Sequence, residues 1–217
     1  MESTATKGRA PARSTRLTGR DYVVLAVFGV LLFAVFMVFS IVCSLSATTS
    51  WFTHGVGAVP AGIVWMYVLA RVPKRGAVAL MCLLVALLGL VMGMFWTGPL
   101  GIALGGVAAE LVLGAPGERT AFRRVAAFVA FVVCFWAGHV SLVYLTGQAY
   151  VDMVVASGMT AEYGQQLVDF MYGPLALVAL AVAVIGPLVG GLLGERVFKK
   201  HFARMGAKAH RGEAARP

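Results

Sequence analysis

From Tyr22 to Ser44 the chain carries no charged side chain. A run of that length matches the roughly 20 apolar residues a helix needs to cross the hydrocarbon core of a bilayer. Five more apolar runs follow, at about Gly55–Ala70, Ala77–Phe95, Leu100–Leu113, Val125–Thr146 and Pro174–Leu193. Charged residues make up 12% of the chain, about half of what soluble domains carry, so there is too little polar surface to coat a water-soluble fold. The expected fold class is an all-α integral membrane protein with six transmembrane helices in one bundle, leaving no room for a separate catalytic domain.

Lys and Arg number 18 against 9 Asp and Glu, a net charge of +9 that in a soluble protein would suggest nucleic acid. Here every cation lies between apolar runs or at the ends: five before Asp21, three in Arg71–Arg75, three in Arg119–Arg124 and seven after Glu195. Cations flanking spans mark cytoplasmic loops and meet anionic lipid headgroups, so nucleic acid is set aside as a partner in favour of the lipid bilayer. Both termini are expected in the cytoplasm, in a bacterial cytoplasmic membrane, with Ala47–His54, Trp96–Pro99 and Gln148–Asp169 on the outer face. The expected organisation is a disordered basic tail over residues 1–20, a transmembrane domain over 21–197 and a basic cytoplasmic tail over 198–217. Thr160 is placed to start an interfacial helix in the last outer connection.

Glycines recur in steps of four: Gly89 and Gly93, Gly101 and Gly105, and Gly186, Gly190 and Gly194. Such rows let a neighbouring backbone approach closely, either within the chain or from another membrane subunit. Ionisable groups inside spans are costly and are default functional candidates; only Glu110 and His139 qualify. Glu110 lies one turn from the basic side, where Arg119, Arg123 or Arg71 can pair with it. His139 lies in the outer half of its span with Trp136 on the same stripe and Tyr144 on the next, a pattern that suits a small ring-containing ligand. On the outer connections Trp51, His54, Trp96, Tyr150 and Tyr163 form either an interfacial belt or the walls and cover of an external pocket.

Three cysteines, each in an apolar run, imply no disulfide framework. No Gly-Lys dipeptide occurs, hence no Walker A loop, and no His-Glu-x-x-His or Gly-x-Ser-x-Gly is present. No catalytic residue, metal ligand or cofactor is expected, and the chain is read as a non-enzyme.

Three stretches carry a family resemblance: Gly190-Gly-Leu-Leu-Gly-Glu-Arg-Val-Phe-Lys-Lys-His-Phe-Ala-Arg-Met-Gly206, Met66-Tyr-Val-Leu-Ala-Arg-Val-Pro-Lys-Arg-Gly76 and Ala109-Glu110-Leu. They resemble the MptD family, also called Trep_Strep, of energy-coupling factor (ECF) transporter S components, from the first span to Lys208. The resemblance implies a six-helix subunit that binds a small, vitamin-like or heterocyclic substrate. Its implied partners are a transmembrane coupling protein and two ABC-type ATPases, which would hydrolyse the ATP. Many S components dock through an Ala-x-x-x-Ala face on the first helix, and the matching row here is Ala26, Val30, Ala34. Nickel and cobalt members use an N-terminal histidine that this chain lacks. In S components the ligand lies near the outer surface under the loops after the first, third and fifth helices. By region that corresponds to Trp51–His54, Phe95–Thr97, His139, Tyr144 and Gln148–Tyr163. The alternative from another class is a small non-transporting membrane scaffold or regulator acting through its glycine faces.

Overall fold

A computed structural model describes residues 16–214, and among them every regular element is helical. In chain order these are α1 (Gly19–Cys43), α2 (Ala47–Ser50), α3 (Thr53–Arg71), α4 (Ala77–Val91), α5 (Thr97–Leu113), α6 (Ala121–Thr146), α7 (Ala149–Ala156), α8 (Ala161–Tyr172) and α9 (Leu175–Ala214). The expected tail over 1–20 falls mostly outside the described residues, while the tail expected from 198 begins inside α9. The helix continues because no proline or glycine pair interrupts the chain beyond Gly191 until well past Lys200.

Four helices are long and apolar enough to cross a membrane: α1, α3, α6 and the Leu175–Lys200 part of α9. The expected third and fourth spans are shorter apolar helices of 15 and 17 residues. At 1.5 Å per residue, α4 covers about 22 Å, less than the roughly 30 Å of a hydrocarbon core. Its stop is local. Gly93 adopts φ +84°, its N–H donates to the Leu90 carbonyl, and the Met94 N–H donates to Gly89, the paired bonds of a Schellman ending. Gly93 is therefore a turn residue and not part of a packing face. Elsewhere the capping signal read from the sequence is used, since Thr160 Oγ accepts the Tyr163 N–H at 3.1 Å; Thr120 Oγ likewise accepts that of Arg123 at 3.2 Å at the start of α6.

The six long helices pack as a closed ring in the order α1, α3, α9, α6, α5, α4, with α3 also touching α6 across the middle. Trp65, Phe128, Phe131, Leu25, Leu32 and Met81 fill the interior and are fully buried. Two sides of the ring are backbone-to-backbone contacts. A Cβ on Gly186 would lie 2.7 Å from the Gly55 Cα, and one on Gly190 would lie 2.9 Å from the Val59 Cα. Gly194 meets Gly62 in the same way. Between α5 and α6, a Cβ on Gly101 would sit 2.8 Å from the Gly138 Cα, and one on Gly105 would sit 2.8 Å from the Phe131 carbonyl. These five glycines thus serve contacts inside the chain, whereas Ala26 and Ala34 on α1 are exposed.

Ion pairs gather at one end of the ring. Lys74 binds Asp21 at 2.6 Å, Arg123 binds Glu118 at 3.0 Å, and Arg124 engages Glu195 through both carboxylate oxygens. Glu110 pairs with Arg119 at 3.0 Å and also accepts the Gly76 and Val78 N–H groups, which caps α4. The opposite end is covered by α2, α7 and α8, whose apolar faces close over Val140 and Val143 of α6.

If the glycine contacts hold the ring, Gly190→Leu and Gly105→Leu will each lower stability by about 1 to 3 kcal/mol or more. Gly117→Leu, with nothing within 4 Å, will leave it unchanged. Thermal melts in detergent compare the three directly.

Candidate functional site

Beneath the α2/α7/α8 cover lies a cavity of about 210 Å³. Its floor and walls are aromatic: Phe33 and Phe36 from α1, Phe131 and Phe135 from α6, and Trp51 from the α2–α3 connection. Into it come two histidines from the helices on either side of α9, His54 in the first turn of α3 and His139 in α6. His54 Nε2 and His139 Nδ1 are 2.9 Å apart and share a hydrogen bond. Phe135 packs edge-on to His54 at 4.6 Å between ring centroids and lies 5.2 Å from His139.

The position of each histidine follows from the residue beside it. Gly55, next to His54, packs against the α9 backbone at Val182, and Gly138, next to His139, packs against Gly101 of α5. With those sides of α3 and α6 closed by neighbouring helices, the imidazoles are left to meet inside the ring. His54 is 5% exposed, and its Nδ1 is buried without a protein partner. A buried imidazole nitrogen left unmatched costs about 1 to 3 kcal/mol.

The cover is fastened by side chains. The Trp51 indole N–H donates to the Leu167 carbonyl at 3.2 Å, and the Tyr163 hydroxyl donates to the Ser44 carbonyl at 2.8 Å. Tyr144 donates to the Met171 carbonyl at 2.7 Å. Tyr150 stands at the cavity wall, and burial, reinforced by Tyr163, pushes its phenol up to about 12, so it remains a neutral hydroxyl under physiological conditions.

Of the residues singled out by sequence, Trp51, His54, His139 and Tyr150 line one cavity. The others stand elsewhere. Trp96 is 59% exposed at the start of α5, and Tyr144 is 51% exposed and fastened to α8. Trp136 packs under the cover, and Tyr163 reaches the cavity only through its bond to Ser44. Sequence reading missed the α1 contribution of Phe33, Phe36, Met37, Ser40 and Ser44. The available signal was the pair of serines four apart at the end of an otherwise apolar span, which places both hydroxyls on one face.

The sequence model of a family described as a hypothetical bacterial integral membrane protein, Trep_Strep, matches residues 19–204. The chain belongs to this family. No curated protein and no solved structure matches it. The Trep_Strep match runs from the start of α1 into the last part of α9, so it takes in the entire ring, both histidines and the cover.

Tyr163→Phe removes one bond between cover and α1, worth about 1 kcal/mol. Amide exchange in Ala161–Tyr172 is expected to speed up roughly fivefold, with α3 and α6 unchanged, in a hydrogen–deuterium measurement on the detergent-solubilised protein.

Proposed function

We propose that this Trep_Strep protein is the substrate-binding S component of an ECF-type importer for a small, vitamin-like or heterocyclic molecule. The observation that carries the reading is the cavity with the His54–His139 pair, placed at the end of the bundle opposite the clustered cations. A carrier that collects its substrate outside needs a site on the outer side, and the positive-inside rule assigns the cationic end to the cytoplasm. On this reading α1, α3, α4, α5, α6 and α9 make six crossings, α4 and α5 crossing where the bilayer is thinned. Both termini are then cytoplasmic, in a bacterial cytoplasmic membrane.

The lining also matches, region by region, what the S-component resemblance implies: Trp51 and His54 follow the first long helix, Phe95 follows α4 and Tyr150 follows α6. Without a phosphate-cradling loop the chain is read as a binder whose energy comes from a membrane coupling protein with two ABC-type ATPases. Ala26, Val30 and Ala34, exposed on α1, are where the coupling protein would dock. A scaffold acting through glycine rows is the weaker reading, since Gly101, Gly105, Gly186, Gly190 and Gly194 are covered by neighbouring helices of the same chain.

Topology, binding and uptake each test the proposal. Single cysteines at Lys74 and Gly117 should resist an impermeant thiol reagent in intact cells, and those at Thr49 and Ser157 should react; labelling of Lys74 from outside would overturn the topology. Purified protein should bind the small molecule that co-purifies with it, identified by mass spectrometry, and show no ATP hydrolysis above background. His139→Ala should weaken that binding about 5- to 150-fold through loss of one buried hydrogen bond. Concentrative uptake by this chain alone in vesicles would sink the S-component assignment.

A further inference from the structure

The cavity walls contain no carboxylate, ammonium or guanidinium group; their polar members are His54, His139, Thr53, Tyr150 and the serines Ser40, Ser44 and Ser50. Ionic groups are plentiful at the other end of the bundle, where they pair with one another. An ion entering the cavity would give up its hydration for a wall that offers no opposite charge, which is the costliest exchange a buried site can impose.

Two of the wall's polar groups are already engaged. The Thr53 hydroxyl donates to the Ser50 carbonyl at 2.8 Å, and the indole N–H of the wall residue Trp51 is held by Leu167. The histidine pair is different. Each neutral imidazole has one N–H and one lone pair, and the bond between His54 Nε2 and His139 Nδ1 consumes one of each. The remaining nitrogens, His54 Nδ1 and His139 Nε2, must then be opposites: when one donates, the other accepts. His54 Nδ1 is buried and unmatched by the protein. The polar demand is therefore a small number of neutral hydrogen bonds.

Size narrows it further. A dry cavity of about 150 Å³ holds benzene, so one of about 210 Å³ takes a substituted single ring or a small fused pair, about eight to twelve non-hydrogen atoms. The phenylalanine walls supply ring faces and edges for such a body.

We propose that the molecule this site takes is an uncharged, compact heteroaromatic ring read by the His54–His139 pair, and that the carboxylated and phosphorylated relatives of that ring are rejected. The inference rests on the carrier reading for the ligand's existence, and adds its charge and size.

The test uses the full chain in nanodiscs with matched probes, nicotinamide against nicotinate and benzimidazole against benzimidazole-5-carboxylate, read by calorimetry and by quenching of tryptophan fluorescence. At least one neutral probe is expected to bind no less than tenfold more tightly than its carboxylate. His54→Phe and His139→Phe, which keep an aromatic ring in place, should each weaken the neutral probe at least tenfold while the melting temperature stays within a few degrees. Equal or tighter binding of the carboxylates, no binding of either neutral probe, or unchanged affinity in both variants would each overturn the inference. The two readings fail separately. Neutral binding without uptake alongside any ATPase partner keeps the site as assigned and removes the carrier, whereas ATPase-dependent uptake of an anion that competes at this cavity keeps the carrier and removes the inference.

Discussion

At the crossing of α3 and α9, Gly55 and Gly186 put backbone against backbone, and the position of His54 follows from it. The α5 and α6 crossing at Gly101 and Gly138 does the same for His139. Between helices in lipid there is no water to expel, so close packing of this kind is a main source of association. Here the same contacts that hold the ring set the separation of two imidazoles to hydrogen-bond distance. A side chain at Gly55 or Gly138 would push α3 from α9, or α6 from α5, and would part the histidines before it touched them.

Charge is sorted along the bundle by the same solvent. Each ion pair at the basic end involves a loop or a helix terminus, and the partly buried Glu110–Arg119 pair also satisfies two amides at the start of α4. Losing one partner of such a pair would leave the other charge uncompensated, a loss of about 3 kcal/mol or more. At the far end the connections are aromatic and acidic, with Asp152, Glu162 and Asp169 on α7 and α8, and the cavity beneath them is lined without a formal charge. The ion pairs of the basic end and the uncharged cavity lining thus stand at opposite ends of the bundle.

The sequence makes the number of apolar segments, the basic loops, the glycine spacing and the Thr160 cap readable, because each rests on local spacing or on a solvent boundary. It misreads the end of α4, since only the φ angle of Gly93 separates a helical glycine from a helix-ending one. It finds His54, His139, Trp51 and Tyr150 because polar or amphipathic groups beside spans are conspicuous. The contribution of Phe33 and Phe36 stays hidden, because α1 is apolar along most of its length and, apart from Ser40 and Ser44 at its end, carries no periodic signal of which face looks inward. Trp96 and Tyr144 stand outside the cavity for the complementary reason: aromatic residues at this depth serve the interface or fasten a helix as readily as they line a pocket.

The two halves of the site are also held by different kinds of contact. Its base, on α3 and α6, is fixed by glycine crossings and by the buried stack of Trp65, Phe128 and Phe131. Its cover is tied to the ring by bonds such as Tyr163 to Ser44, and Trp51 spans the boundary by its bond to Leu167, each bond one that water can replace at a net cost of about 1 kcal/mol. Opening free energies within one protein vary with such contacts, so amide exchange in α7 and α8 is expected to be faster than in the ring. A molecule arriving at this end would meet a yielding cover over a rigid base, and the imidazole pair would keep its spacing while the way in opened and closed.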